Sequence, residues 1–361
     1  MNDAGAVVDE LAERIRAAAA ARTPLEIRGG GTKAFYGNPP AGEPFPTTGL
    51  AGAVAYEPSE LVVTVRAGTP LAELEALLAS RDQMLAFEPP HFGAGATVGG
   101  CVAAGLAGPR RASAGFAYGG VRDFVLGAKL LDGRGRTLSF GGTVMKNVAG
   151  YDVSRALAGS LGVLGVILEV SLKVLPRPPV ETTLVFEFDE ATALARACAW
   201  GARPLPISAT AWHDGCLRLR LSGAPAAVGA ARRVLGGEAI STPADASYWR
   251  QLREQQLPFF AGATALWRVA VPPTAPPLEF GDATLIEWGG AQRWVRTAAP
   301  AERVRERVAR LGGHATLFRA QDRSSGAFTP LAPALLAIHR RLKAEFDPAG
   351  VLNPGRLYAE F

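Results

Sequence analysis

Segments with helical spacing of apolar residues alternate along the chain with short strand-like apolar segments, and together they predict a fold of mixed helices and strands. Residues 3–22 place apolar side chains at helical spacing, Leu11 and Ile15 among them. Pro24 ends this helix because it cannot continue the hydrogen-bond ladder. A short apolar strand then follows at residues 25–27.

The rest of the first half continues this alternation of elements. A Thr69-Pro70 pair predicts a helix start, with the threonine as N-cap and the proline as the first helical residue. The same reasoning predicts a strand at 61–65, a helix from 70 to about 80, a helix at 98–107, a strand at 121–131, its hairpin partner at 136–140, and a strand at 166–174.

A Pro-Arg-Pro-Pro run at residues 176–179 predicts a domain boundary. Beyond it, half-exposed strands and amphipathic helices recur, which is typical of an antiparallel α+β lobe. The sequence therefore predicts an α+β protein of two lobes. The predicted parts are residues 1–176, a smaller cap-like lobe at 180–340, and a C-terminal segment at 341–361 that packs back on the first lobe.

Composition narrows the classes of function. The 361 residues are 48% hydrophobic and 20% charged, with a net charge of +5 that is spread along the chain. No basic run interleaved with aromatic residues occurs, so no nucleic-acid partner is predicted. No apolar stretch is long enough to span a membrane, no signal peptide is recognised, and the three cysteines have no metal spacing. We expect a cytoplasmic protein that reaches the membrane's inner face only through partners.

Glycine runs carry the strongest chemical signal. Residues 28–33 read Arg-Gly-Gly-Gly-Thr-Lys directly after the first short strand. Successive amide groups in such a loop can converge on one phosphate, and Arg28 or Lys33 could supply a counter-charge. The segment lacks the Walker A spacing and the dinucleotide fingerprint. A flexible turn is the alternative explanation.

Two later segments share this small-residue character. Residues 89–100, which include Pro90 and Gly95, suit a flat ligand lying against bare backbone, although a tightly packed helix start would need the same residues. Residues 146–152 read Lys-Asn-Val-Ala-Gly-Tyr-Asp, and glycines at 159, 162 and 165 then lead into a strand. These glycines suit a nucleotide held against an aliphatic wall, or a plain helix–strand contact.

The order and spacing of these three segments resemble the FAD-binding domain of the vanillyl-alcohol oxidase / p-cresol methylhydroxylase (PCMH) family. The resemblance covers about residues 20–176 and 346–357. Within that family, residues 144–152 together with the Asp-Pro-Ala-Gly-Val-Leu-Asn-Pro-Gly-Arg run at 347–356 are most similar to the FAD-binding E subunits of glycolate oxidase (glycolate dehydrogenase). The resemblance implies FAD as cofactor and a small 2-hydroxy acid such as glycolate as substrate.

The resemblance also implies a role for each part of the site. Residues 28–33 would hold the pyrophosphate. The flavin and its ribityl chain would be lined by Thr97, Gly99, Gly100, Ala103, Ala104, Tyr118 and Gly119. The adenosine end would be held by Gly162, Gly165 and Ile167.

Two positions depart from the family pattern. Covalent members carry a histidine at the end of the first glycine loop, where this chain has Lys33, so we expect non-covalent FAD. Many relatives have an acidic residue where this chain has Leu161, which removes one polar contact near the adenosine.

Oxidation of a hydroxy acid needs a hydride acceptor, a base for the hydroxyl proton and a cation for the carboxylate. Flavin N5 would be the acceptor. We expect His91, beside the second glycine segment, or His314 to be the base, and Arg319 to clamp the carboxylate. Asn353 lies in a loop that relatives bring near the flavin, but it could instead cap a turn.

Related complexes pair such a subunit with a second, longer flavoprotein subunit and an iron–sulfur subunit. Since no cysteine pattern for a cluster is present, we expect electrons to leave through a partner. Two other functions stay open: a non-catalytic scaffold or electron-relay subunit, and a nicotinamide-dependent flavin reductase. The reductase is the weaker of the two because no separate dinucleotide fingerprint is found.

Overall fold

The computed structural model describes residues 4–110, 119–144, 152–240, 243–280 and 283–361. Two features singled out from the sequence lie outside these residues. They are Tyr118 and the Lys-Asn-Val-Ala-Gly-Tyr run at 146–151.

The first half is built around a five-stranded sheet with strand order β3-β4-β8-β6-β7, in which every neighbouring pair is antiparallel. A parallel pair, β1 with β2, and a two-residue pair, β5 with β9, lie outside it. The elements are α1 (Ala4–Ala21), β1 (Leu25–Arg28), β2 (Glu43–Pro46), β3 (Ala53–Glu57), β4 (Val62–Arg66), α2 (Leu71–Ala79), β5 (Gln83–Met84), α3 (Val98–Ala104), α4 (Val121–Phe124), β6 (Val125–Leu131), β7 (Thr137–Gly141), α5 (Val153–Ala156), β8 (Val166–Lys173) and β9 (Leu175–Pro176).

The second half forms an eight-stranded antiparallel sheet of order β13-β10-β12-β11-β15-β16-β14-β17. The two halves of this sheet meet at β11 and β15, which pair over only two positions, Ala211 with Glu287 and Trp212 with Ile286. The elements are β10 (Val180–Glu187), α6 (Glu190–Gly201), β11 (Ile207–His213), β12 (Cys216–Gly223), α7 (Pro225–Leu235), β13 (Glu238–Ile240), α8 (Pro243–Arg253), β14 (Leu266–Ala270), β15 (Thr284–Glu287), β16 (Gln292–Arg296), α9 (Ala301–Arg310), β17 (His314–Arg319) and α10 (Pro333–Phe346). The expected α+β class is confirmed.

The pleat of the large sheet decides which side chains face the first half. Val295 packs with Val304 and Val308 of α9, while its neighbour Trp294 points to the opposite face. On that opposite face Trp294 and Phe318 join a cluster that includes Tyr36 and Leu161 of the first half. This shared apolar cluster fixes the eight-stranded sheet beside the glycine loops.

The C-terminal segment after α10 returns to the first strand. Leu25 donates its amide to the carbonyl of Val351 over 2.7 Å and accepts from the amide of Asn353 over 3.0 Å. Lys343, at the end of α10, is buried and donates to Asp347 and to the carbonyls of Val163 and Leu352. These bonds place residues 351–356 next to the glycine loop that follows β1.

Several predicted boundaries differ from the structure; for example, the helix predicted at 98–107 ends at Ala104. Two of them differ where a side chain bonds the preceding loop. Helix α2 starts one residue late, with Pro70 as its cap, because the hydroxyl of Thr69 donates to the Arg66 carbonyl over 2.7 Å. The strand predicted from 121 begins at Val125. Before it, residues 121–124 form one helical turn, since Asp123 accepts the amide of Gly120 over 2.8 Å.

A buried ion cluster joins the two halves. Glu88, in the loop after β5, accepts from Arg110 over 3.2 Å and from Arg220 of β12 over 2.9 Å. Arg110 also bonds Glu181 of β10. Burial alone would raise the pKa of Glu88, but Arg220 and Arg110 outweigh it and lower the pKa to about 2.

We expect Glu88→Gln to lower the free energy of unfolding by about 3 kcal/mol at pH 7, because two buried arginines lose a charged partner. The folded pKa lies below the unfolded value of 4.5, so this stabilisation is present above pH 4.5 and is lost as pH falls toward about 2. Urea unfolding at several pH values measures both effects. The difference between wild type and variant should shrink over that window, and a difference that stays constant would contradict the assignment. Exposed Glu60→Gln is the matched control, with no effect expected at any of these pH values.

Candidate flavin site

The glycine loop after β1 presents a row of amide groups. The amides of residues 29–33 donate to no protein acceptor in the described ranges of the chain. Gly31 has φ of 72°, a conformation that glycine adopts without strain. A Cβ atom at Gly30 would lie 1.5 Å from the carbonyl oxygen of Gly95, so the loop packs directly on the second glycine segment.

The second glycine segment leads into α3, where close backbone approach again requires small residues. Thr97 caps α3 by accepting the amide of Gly100 over 3.2 Å. The amide of Gly99 donates to the Ala67 carbonyl over 2.7 Å, and a Cβ at this position would lie 2.6 Å from the Ala67 methyl group. Helix α3 therefore lies tight against the end of β4, with one face toward the glycine loop.

The turn before β8 forms the third wall. Leu161 and Gly162 both have positive φ, at 50° and 77°. The side-chain amide of Asn353 donates to the Leu161 carbonyl over 2.6 Å, and its oxygen accepts the amide of Ile27 over 2.7 Å. Asn353 thus connects β1 to this turn.

These three walls enclose a cleft of about 850 Å³, counted to its open mouth. The predicted cofactor residues that line it are Arg28, Gly29, Gly30, Gly31, Thr32, Lys33, Thr97, Gly99, Gly100, Ala103, Ala104, Gly162, Gly165, Ile167 and Asn353. Separate regions of the sequence therefore converge on one cavity of the size that cofactor sites occupy.

Three predicted cofactor residues do not line this cleft. Gly95 lies beneath Gly30, and Pro90 lines a second, smaller pocket. Gly119 packs against Asp123, whose carboxylate would be 2.2 Å from a Cβ at that position.

Leu161, which the family resemblance placed near the adenosine, also lines the cleft. Other lining residues were missed from the sequence, and they are Glu26, Ile27, Ala34, Pro40, Thr47, Ala67 and Arg356. Arg356 is the most informative of them. Its guanidinium donates to the Ala34 carbonyl over 2.9 Å and to the carbonyl of Asn38, and burial lowers its pKa to about 10. It ends the Asn-Pro-Gly-Arg run at 353–356, so the motif itself contained the signal.

Lys33 ends the glycine loop inside the cleft. Its ammonium donates to the His91 carbonyl over 3.2 Å and lies 5.8 Å from the Phe92 ring centroid. Burial lowers the pKa of Lys33, although nearby Cys101 and Glu254 oppose the shift. Free loop amides, three lining cations (Arg28, Lys33 and Arg356) and a glycine floor fit a diphosphate-bearing ligand.

His91 lies outside the lining of this cleft. Its ring Nε2 is 3.0 Å from a carboxylate oxygen of Glu75 on α2. Glu254 accepts the backbone amides of both His91 and Phe92, over 3.1 Å and 2.9 Å. The imidazole is therefore held by the carboxylate of Glu75.

His314 and Arg319 lie at opposite ends of β17, about 16 Å apart along an extended strand. His314 is exposed. The guanidinium of Arg319 lies 4.6 Å from the Phe35 ring centroid and 5.5 Å from that of Phe92. The structure thus brings Arg319 near the glycine loop, at the end of β17 away from His314.

No helix in the described ranges is long and apolar enough to cross a bilayer. Within the same ranges, no three His, Cys, Asp or Glu side chains are arranged to bind a metal ion.

A family model for an FAD binding domain matches residues 6–141, the part that contains the glycine loop and α3. The glycolate oxidase subunit GlcE of Escherichia coli (strain K12) is 47% identical over 350 residues, which cover 97% of both chains. The chain belongs to the GlcE family. This GlcE membership and the domain match identify FAD as the cofactor.

Other relatives match about half of this GlcE-family chain. The glycolate oxidase subunit GlcD of Bacillus subtilis (strain 168) is 29% identical over 191 residues, covering 52% of this chain and 39% of GlcD. A D-lactate dehydrogenase of Archaeoglobus fulgidus is 33% identical over 167 residues, covering 46% and 36%. Crystallised alkyldihydroxyacetonephosphate synthase matches 96% of this chain and 74% of its own with a TM-score of 0.66 at 14% identity. That likeness shows the fold, and the expected PCMH-type architecture is confirmed.

Proposed function

We propose that this protein is the FAD-binding subunit of a complex that oxidises a 2-hydroxy acid, with glycolate as substrate. The observation that carries the proposal is the cleft in which the free amides of residues 29–33 converge, in a chain 47% identical to a glycolate oxidase subunit over nearly its whole length. When bound, FAD supplies the two-electron acceptor for the CH–OH group.

The chain's own residues divide the cleft into three parts. The amides of 29–33, with Arg28 and Lys33, bind the diphosphate as hydrogen-bond donors and counter-charges. Thr97, Gly99, Gly100, Ala103 and Ala104 form the wall for the flavin and its ribityl chain. The adenosine is held by Gly162, Gly165, Ile167 and Asn353, with Arg356 closing this end. We assign residues 1–176 to the FAD-binding domain, 180–340 to the cap-like lobe and 341–361 to the returning segment.

Electrons then leave through partner subunits, in this proposal a longer flavoprotein and an iron–sulfur subunit. Three cysteines cannot supply the four ligands of a cluster, which supports an external acceptor. Any attachment to a membrane's inner face would come through these partners.

The flavin should be dissociable, because Lys33 stands where covalent relatives carry histidine and its ammonium is engaged by the His91 carbonyl. We expect acid precipitation of the purified yellow protein to leave all flavin in the supernatant, and chromatography to identify it as FAD. Yellow colour retained in the precipitate would contradict non-covalent binding. A protein that stays colourless after incubation with FAD would contradict the function itself.

A second function, electron relay or scaffold for a separate catalytic flavoprotein, is favoured by the contacts of His91. Its ring is bonded by Glu75 and lies outside the cleft lining, so the expected base is engaged elsewhere. Anaerobic addition of glycolate to the isolated, FAD-loaded chain separates the two functions. Bleaching of the flavin excludes the relay function, whereas bleaching that requires co-expressed partners supports it.

A further inference from the structure

A second, smaller pocket lies where the two halves meet. It has about 310 Å³ of space, counted out into the solvent at its mouth. It is lined from both sides, with Pro90, Phe92 and Leu106 from the first half and Arg268, Glu287 and Phe318 from the large sheet. None of these residues was assigned a role in hydroxy-acid binding from the sequence.

Arg268 supplies the pocket's positive charge. Its Nε donates to the side-chain oxygen of Gln292 over 2.7 Å, and its guanidinium carbon lies 5.3 Å from the Trp288 ring centroid. No carboxylate among the described residues forms an ion pair with it. This half-buried arginine also hydrogen-bonds the hydroxyl of buried Tyr36. A guanidinium has five N–H donors, so these neutral partners leave further donors for an anion.

Glu287 supplies a buried carboxyl group to the same pocket. It is 4% exposed, and its Oε2 accepts from the indole of Trp294 over 2.6 Å and from the amide of Gln292 over 2.9 Å. Both bonds fall on one oxygen, and Oε1 has no protein partner in the described part of the chain. Burial raises the pKa of Glu287 to about 7, against the effect of its hydrogen bonds and of Arg268.

The pocket adjoins the flavin cleft. Phe92 lines the pocket, and its ring faces Lys33, which lines the cleft. Helix α3 lines the cleft through Ala103 and Ala104, and the chain leaving it lines the pocket at Leu106. A small molecule in the pocket would therefore lie one side chain away from the cleft.

We propose that this pocket binds the small 2-hydroxy carboxylate, with its carboxylate on the guanidinium of Arg268 and its hydroxyl on Oε1 of Glu287. The pocket opens to solvent, and the two polar groups lie on β14 and β15, the two strands that flank β16 in one sheet. The inference rests on the proposed function for the identity of the ligand, while the anion site itself stands on the unpaired arginine.

Equilibrium binding tests this site without turnover. The purified chain is titrated with oxalate, a carboxylate that the enzyme cannot oxidise as a hydroxy acid, and with glycolate in the absence of FAD, following tryptophan fluorescence and heat. We expect Arg268→Gln to lower the affinity for both acids by roughly tenfold to a hundredfold, the loss typical of a charged hydrogen bond. Arg268→Lys should recover part of that affinity. Glu287→Gln should lower the affinity for glycolate more than the affinity for oxalate.

Two controls keep the outcome clear. Arg307→Gln removes an arginine of α9 that pairs with Glu279 outside this pocket, and it should bind both acids as wild type does. Methyl glycolate lacks the anion and should not bind wild type, a comparison that needs no variant to fold. Equal binding of the ester, or wild-type affinity in Arg268→Gln, would overturn the site.

FAD affinity is measured in parallel, so that the two proposals fail separately. A wild-type chain that takes up FAD but binds neither acid would overturn the pocket and leave the flavin subunit standing. Acid binding by a wild-type chain that never takes up FAD would support the anion site and refute the proposed function. Wild type that binds neither oxalate nor glycolate at millimolar concentration would refute the pocket.

Discussion

Gly30→Ala is expected to yield a protein that purifies without flavin and binds added FAD roughly a hundredfold more weakly, the loss of one or two charge-assisted hydrogen bonds. The new methyl group would lie 1.5 Å from the Gly95 carbonyl oxygen, and neither backbone segment is a flexible side chain that can yield. The loop must therefore move away, and its amides no longer converge on the diphosphate. Fluorescence titration with FAD measures the change.

Gly49→Ala is the matched control for this variant. Its Cβ would meet only Val7, at an ordinary 3.8 Å, and its backbone needs no glycine conformation. FAD affinity should stay within about twofold of wild type, as for surface substitutions in general. Full FAD affinity in Gly30→Ala, with the fold intact by circular dichroism, would show that the loop does not bind the diphosphate.

Lys343→Met is expected to cost about 3–5 kcal/mol of unfolding free energy, because it removes the cation from a buried pair. Asp347, which is 1% exposed, would remain charged without its partner at 2.7 Å, and the carbonyls of Val163 and Leu352 would lose their donor. Urea unfolding followed by circular dichroism measures the loss. FAD affinity should fall as well, since Asn353 and Arg356 follow directly in the chain and line the cleft.

The comparison variant is Lys129→Met. Lys129 pairs with Glu169 over 2.8 Å, but its side chain is 50% exposed, so water replaces the lost partner. We expect a change below about 1 kcal/mol and no effect on FAD. An equal loss of unfolding free energy in the two lysine variants would contradict the role given to burial at Lys343.

The glycine loops could be predicted from the sequence because their backbone conformation depends on neighbouring residues in the chain. Residues 28–33 follow a strand directly, and their three consecutive glycines predict both the bend of the chain and its unbonded amides within six residues. Arg28, Lys33 and Thr97 followed from the same segments. The glycine segments, together with the family resemblance that they carry, thus predicted most of the cleft's lining.

Arg268 and Glu287 could not be predicted in the same way. They lie on β14 and β15, which are separated in the sheet by β16, and they meet Phe92 only when that sheet packs on the first half. Side-chain type alone also favoured His91 as a base, whereas its neighbour Glu75 on α2 bonds the ring. The cap of α2 was also not predictable from local sequence alone. The hydroxyl of Thr69 donates to the Arg66 carbonyl in the preceding turn and does not cap the helix.

A crystal structure of the FAD-loaded protein tests the central claim most directly. The account predicts the diphosphate within hydrogen-bonding distance of the amides of 29–33, with the ribityl chain along α3 and the adenosine beside Gly162. A diphosphate bound elsewhere, with these amides facing only water, would contradict it.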